Sequence, residues 1–177
     1  MNILDKKYDA KIKELTLIHN ITQYYILLGE EISADFNTFI QPLKEFRDSH
    51  EHIMRIFRYV LFNDRNITES DYIEKQLTKA LGHEYRAFFD VVDWLSIVCR
   101  KAVSDALTKA TEERLNDLHN NDKFIHNMKL VIESDLKIAD IRSKKDINSD
   151  IDNIVNEYQI LIKELCEATK EIRLLLL

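Results

Sequence analysis

The sequence has few of the residues that bend or end secondary structure, with two glycines and one proline in 177 positions. Sheet proteins use both residue types in their tight turns, so this scarcity argues against a sheet fold. The composition, 45% hydrophobic and 32% charged, is typical of long amphipathic helices. We therefore predict an all-α protein, and the length fits one domain covering residues 1–177.

Cysteines and long apolar runs are also scarce. Cys99 and Cys166 are too few and too widely spaced for a disulfide framework or a C-x-x-C motif, so we predict free, buried thiols in a cytoplasmic protein. The N-terminus shows no apolar signal segment, and the run Leu174 to Leu177 is far too short to span a bilayer. We expect no membrane association.

Basic residues do not dominate the charge, since the formal net charge is -6. Proteins that bind nucleic acids normally present a basic surface to the phosphates, so binding here would need a local basic patch. The best candidate lies between Lys44 and Arg58, where four basic residues face three acidic ones beside His50 and His52.

Apolar residues recur every three or four positions in five long segments, which predicts five helices. Short connections place such helices side by side in alternating directions, so we predict an up-and-down bundle of about five long helices. Gly29 and Gly82 are candidate division points within the first and third segments, and Pro42 either separates the first from the second or kinks a continuous helix. The predicted segments are 8–39, 43–62, 71–118, 125–141 and 151–172, with breaks at 63–71, 120–122 and 146–150.

The segment 83–107 has almost no solvent-facing side, so we expect it to be buried on nearly all faces, in part by a second subunit in a homodimer. Its polar exceptions are predicted to form a paired network against the second helix. The residues of this network are Arg86, Asp90 and Asp93 on one side and Asp48, His52 and Arg55 on the other.

The 43–62 helix carries most of the candidate chemistry. Its apolar face includes Leu43, Phe46 and His50, where His50 is predicted to be a hydrogen-bonded core histidine. Asp48 and His52 are one turn apart on the opposite side, where they can meet.

Arg47 and His52 form the motif R-x4-H, with the polar Asp48 directly after the arginine. Here the chain resembles the HEPN domains, all-α bundles that often dimerise and include metal-independent RNA endonucleases of toxin-antitoxin and antiphage systems. The resemblance implies a catalytic site of Arg47, Asp48 and His52 without metal or cofactor. Arg47 would stabilise the phosphate of RNA, and His52 would act as acid or base at the 2'-hydroxyl.

Other interpretations remain open. Arg114 and His119 form a second, chance-level match to the motif, and the polar residues of the 43–62 helix also suit an ordinary ion-pair network. The carboxylates of Asp90-x-x-Asp93 and Glu164-x-x-Glu167 have a spacing that suits Mg²⁺, as in all-α nucleotide pyrophosphohydrolases, but the order and clustering of carboxylates in that family are not matched. The alternative function is a non-catalytic interaction protein that uses 83–107 and the C-terminal leucines as a partner surface.

Overall fold

The computed structural model of the chain describes residues 6–33, 39–62, 71–145 and 150–177. These residues are almost entirely helical and none of them lies in a strand, so the prediction of an all-α fold is confirmed. No helix among them has a stretch that is long and apolar enough to cross a membrane. A short 3-10 helix at Lys6–Tyr8 is followed by α1 (Asp9–Ile32), α2 (Ile40–Phe62), α3 (Tyr72–Lys109), α4 (Glu112–Leu118), α5 (Asp122–Lys145) and α6 (Ile151–Leu175).

The third predicted segment differs from the structure at its end. Helix α3 runs unbroken through Gly82, so this glycine does not divide it, but α3 ends at Lys109 instead of near residue 118. Thr111 begins α4, because its side chain accepts a hydrogen bond from the Arg114 backbone N–H at 3.2 Å and caps the helix. Two acidic residues in the first turn of α4 stabilise this helix end further.

The structure tests some of the other predicted helix boundaries. The break at 120–122 is confirmed, and Pro42 lies in the first turn of α2, where its missing N–H costs no helical hydrogen bond. Gly29 lies inside α1, which ends at Ile32. Most of the predicted breaks at 63–71 and 146–150 lie outside the described residues.

The helices group into two compact units. Unit 1 contains the described residues of Met1–Leu27 and Thr38–Val91, and unit 2 contains those of Leu28–Asn37 and Val92–Leu177. Helices α1 and α3 therefore contribute residues to both units. The prediction of a single domain stays a prediction.

Unit 1 is built from α1, α2 and the first part of α3. The Tyr59 ring lies 5.0 Å from the Tyr72 ring, whereas Glu45, near the other end of α2, contacts Arg86, so α2 and α3 are antiparallel. Phe46 of α2 packs on His19, whereas Ile56, later in α2, shares a core cluster with Tyr8, which comes before His19 in the chain. Helices α1 and α2 are therefore antiparallel as well. That cluster contains Tyr8, Ile56 and Leu77, with Ile12, Val60 and Ile73 packed against it.

Unit 2 is built mainly from the second part of α3 with α5 and α6. Lys123 pairs with Glu171 at 2.8 Å and Lys144 with Glu157 at 3.4 Å, so α5 and α6 are antiparallel. Helix α6 is the main apolar element of this unit. Its buried residues are Ile154, Val155, Tyr158, Leu161, Ile162, Leu165, Ala168, Thr169 and Ile172.

The predicted burial of the segment 83–107 occurs within the chain itself. Phe88, Val91, Val92 and Leu95 are each 0% exposed, whereas Ile97 is exposed. Most of the apolar surface that suggested a second subunit is therefore already covered. The homodimer stays a prediction, with this argument for it removed.

Candidate functional site

The buried face of α2 differs from the one that its apolar pattern predicts. Pro42, Ser49 and Ile56 are its buried residues, and their spacing of seven places them on one face. His50 is exposed, so the prediction of a core histidine is wrong. His52 is half-buried and follows Ser49 by three residues, so it borders the buried face instead of lying opposite to it. The pattern misleads because α2 faces polar side chains of α3.

Two histidines meet at the interface of α2 and α3. The rings of His52 and His83 are stacked, with centroids 5.4 Å apart and planes inclined by 27°. His52 Nδ1 lies 2.7 Å from the Gln76 Oε1. Because an amide oxygen only accepts, Nδ1 carries the hydrogen, and the lone pair of the neutral His52 ring is on Nε2.

His83 is held by Glu45, a residue of α2. The Glu45 Oε2 lies 2.8 Å from His83 Nδ1 and accepts a hydrogen bond from Arg86 Nε at 2.9 Å. Burial favours a higher pKa for Glu45, but the hydrogen bonds from His83 and Arg86 outweigh it, so the pKa of this carboxyl is lowered. Glu45 is therefore ionised at neutral pH.

Arg86 gives the His83 ring a second arrangement. Its Nη2 lies 2.6 Å from His83 Nδ1, the nitrogen that also faces Glu45. One nitrogen either donates or accepts, so Nδ1 donates to Glu45 in one tautomer and accepts from Arg86 in the other. The surroundings of this ring therefore accommodate either tautomer.

The motif arginine pairs with Asp48, its neighbour on α2. Asp48 Oδ1 accepts hydrogen bonds from Arg47 Nε at 2.9 Å and from Nη2 at 2.7 Å. These bonds lower the pKa of Asp48, and the nearby His83 and His52 lower it further. Asp48 precedes His52 by one helical turn on α2, and the Arg47 side chain is 74% exposed.

We call this group the histidine cluster. Four of its residues are candidates identified from the sequence, namely Arg47, Asp48, His52 and Arg86. Three further members were not nominated: Glu45, Gln76 and His83. The sequence feature that could have identified them is a pair of polar stripes, each with the spacing of one helical face. These stripes lie at positions 45, 48 and 52 of α2 and at 76, 83 and 86 of α3.

The remaining nominated residues lie elsewhere. Arg55 pairs with Glu51 of its own helix at 3.3 Å, and both side chains are exposed. Asp90 is half-buried on α3, one turn after Arg86. Arg86 itself is 53% exposed, so the prediction of a single stripe buried against α2 is wrong.

Asp93 belongs to a network in unit 2. Its Oδ2 lies 2.7 Å from Arg142 Nη2, and its Oδ1 accepts a hydrogen bond from the Tyr158 hydroxyl at 3.1 Å. Burial raises the pKa of Tyr158, and the neighbouring Asp93 charge raises it further, so the phenol stays protonated. The predicted pairing of Asp93 with α2 is wrong, because arginine and tyrosine side chains of α5 and α6 reach it instead.

The alternative motifs are placed in other surroundings. Arg114 donates from Nε to the Leu175 carbonyl at 2.8 Å, and His119 is exposed at the end of α4. Glu164 and Glu167 are exposed on α6. Within the described residues, no three His, Cys, Asp or Glu side chains are grouped closely enough to hold a metal ion.

A scan against models of known protein families, a search of curated proteins and a search of solved structures each found no match to this chain. The resemblance to HEPN domains therefore stays a prediction. A function has to be argued from the histidine cluster and its surroundings.

Proposed function

We propose that the protein is an HEPN-like, metal-independent RNA-cleaving protein in which the histidine cluster performs the acid-base chemistry. The observation that carries this proposal is the stack of His52 on His83, with Arg47 of the R-x4-H motif bonded to Asp48, one helical turn before His52. Two imidazoles and a guanidinium can supply the general base, the general acid and the positive charge for phosphodiester cleavage without a metal.

The two histidines suit different steps. His52 has its Nε2 lone pair available in the neutral ring, so it is suited to take the proton of the 2'-hydroxyl as that oxygen attacks the phosphorus. His83 faces the ionised Glu45, which balances the charge of an imidazolium, so it is suited to protonate the departing 5'-oxygen. The products are a 2',3'-cyclic phosphate and a 5'-hydroxyl.

Basic side chains that could bind the phosphate of RNA are present on α2. Lys44, Arg47, Arg55 and Arg58 are all exposed on α2, although the whole chain has a net charge of -6. Arg47 pairs with Asp48, one helical turn before His52, and it would exchange this partner for the phosphate. The proposal includes the setting that the HEPN resemblance implies, a cytoplasmic bacterial toxin or antiphage protein.

The test is cleavage of single-stranded RNA by the purified protein in the presence of EDTA. His52→Asn keeps a polar group beside Gln76 but removes Nε2, so the rate should fall roughly 10²-fold or more. Because His52 is half-buried, the melting temperature of each variant is measured in parallel.

Arg47→Ala and Arg55→Ala form a matched pair, since both side chains are exposed on α2. Only Arg47→Ala should lower the cleavage rate strongly, because Arg47 pairs with Asp48 of the histidine cluster whereas Arg55 pairs with Glu51 outside it. His119→Ala, in the second motif, should leave the rate unchanged. Equal rates for wild type and His52→Asn, or no cleavage by the folded wild type, would rule out the catalytic proposal.

A second candidate function is a non-catalytic interaction protein. Leu136 of α5 is 73% exposed and Ile160 of α6 is 52% exposed, and both line a shallow groove between these helices in unit 2. Exposed apolar residues that share a groove are typical of a partner surface. Absence of RNA cleavage together with self-association that Leu136→Glu abolishes in light scattering would favour this candidate.

A further inference from the structure

The two cysteines of the chain are 67 positions apart in sequence but meet in unit 2. Cys99 Sγ on α3 lies 3.7 Å from Cys166 Sγ on α6. Both thiols are free, with Cys99 buried and Cys166 half-buried. The sulfurs are in van der Waals contact, and an approach of about 1.7 Å would bring them to bonding distance.

We propose that Cys99 and Cys166 form a reversible disulfide within one chain when the protein meets hydrogen peroxide, which makes this pair a redox-modification site. The proposal is independent of the histidine cluster. It rests on the convergence of the chain's two cysteines from separate helices, with Cys99 buried and Cys166 half-buried.

The surroundings distinguish the two sulfurs. The hydrogen bond from Cys166 lowers the pKa of Cys99, and Thr169 and the positive charges of Arg100 and Arg173 lower it further. The hydrogen bond to Cys99 and burial raise the pKa of Cys166. Cys99 is therefore the sulfur of the pair that ionises more readily, so we assign it as the nucleophile and Cys166 as the thiol that follows.

The reaction uses one molecule of hydrogen peroxide. The Cys99 thiolate attacks one peroxide oxygen, the O–O bond breaks, and the departing hydroxide takes up a proton to give water and a Cys99 sulfenic acid. The Cys166 sulfur then attacks the sulfenic sulfur, and the S–O bond breaks. The hydroxyl group leaves with the Cys166 proton as a second water. Two thiols are oxidised to one disulfide, and the peroxide is reduced to two waters.

The test treats dilute, folded protein with an equimolar amount of hydrogen peroxide, then adds a maleimide in denaturant and measures the intact mass. The oxidised chain should lose two hydrogen atoms and take up no maleimide, and dithiothreitol should restore uptake of two. In Cys166→Ser, Cys99 should gain one oxygen that dimedone traps, because the resolving thiol is gone. Cys99→Ser should show far less of this adduct.

A comparison of folded with denaturant-unfolded protein shows whether the fold, and not merely the presence of two cysteines in the chain, promotes the disulfide. The disulfide should form at least tenfold faster in the folded chain than in the guanidinium-unfolded chain, since folding holds the sulfurs together. Two free thiols after treatment of the wild type, a disulfide between two chains, or equal rates in folded and unfolded protein would overturn the proposal. The wild-type measurement alone decides the matter if the serine variants do not fold.

Discussion

Helix α2 in unit 1 and helix α6 in unit 2 are similar in length but pack by different means. Helix α2 buries three residues and meets α3 through the histidine cluster at one end and through Ile56 and Tyr59 at the other. Helix α6 buries nine residues, of which only Thr169 is polar. Burial of apolar surface stabilises a fold by about 25 cal/mol per Å², whereas desolvation offsets most of the gain from polar contacts.

By this comparison, α6 mainly stabilises its unit, whereas α2 mainly positions ionisable side chains. The α2–α3 interface keeps two histidines, two carboxylates and two arginines at hydrogen-bonding distances. Such groups contribute little net stability at the surface but are suited to proton transfer and phosphate binding. Substitutions should therefore affect stability more in unit 2 and activity more in unit 1.

The two glycines give the largest contrast in stability. A Cβ at Gly29 would lie 2.6 Å from the Trp94 Cη2 and even closer to Cζ3, so Gly29→Ala in unit 2 should destabilise the protein by about 3 kcal/mol through overpacking. At Gly82, in unit 1, the nearest atom is the Arg86 Nη1 at 3.7 Å, so Gly82→Ala should stabilise α3 by about 0.5–1 kcal/mol. Urea unfolding measures both, and equal effects would contradict the tight packing of Trp94.

Two aspartates provide the next contrast. Asp93→Ala removes the acceptor of the buried Tyr158 hydroxyl and a partner of Arg142, so it should lower the free energy of unfolding by about 2 kcal/mol. Asp48→Ala removes only an exposed pair with Arg47 and should leave the melting temperature unchanged. If Asp48→Ala were the more destabilising of the two, the distinction between the units would fail.

The smallest effect concerns His19, which lies in unit 1 but outside the histidine cluster. A hydrogen bond to the buried Glu84 raises the pKa of His19 above 6.5, despite partial burial of the ring. The stabilisation from this pair is fully present below pH 6.5 and is lost as the pH rises through the raised pKa. Between about pH 5 and pH 8, the wild type should lose stability with rising pH more steeply than His19→Gln. Parallel curves from denaturant titrations would show that this pair is not formed.

Much of the fold follows from sequence, because a helical period depends on local spacing. The boundary at Thr111 was missed although its signal is present, a threonine followed by two glutamates, since the apolar residues Leu115 and Leu118 continue the period across it. The buried face of α2 was misassigned because Ser49, at its centre, is polar. A pattern of apolar residues does not mark a face whose partner is also polar.

The site was predictable only where it is local in sequence. The R-x4-H motif identifies Arg47, Asp48 and His52 within one helix, and in the structure Arg47 is bonded to Asp48, one helical turn before His52. His83 was missed because it comes from another helix. The convergence of Cys99 with Cys166 depends in the same way on the packing of α3 and α6, which no local spacing reports.

The central claim is that His52 and His83 act as one acid-base pair. The most direct measurement is the dependence on pH of RNA cleavage by wild type and by His83→Asn, a variant of the histidine that the motif does not contain. The account predicts a bell-shaped profile for the wild type, since one ring must be neutral and the other protonated, and a loss of roughly 10²-fold with a missing arm of the bell for His83→Asn. A wild-type rate and an unchanged profile for the folded His83→Asn protein would contradict it.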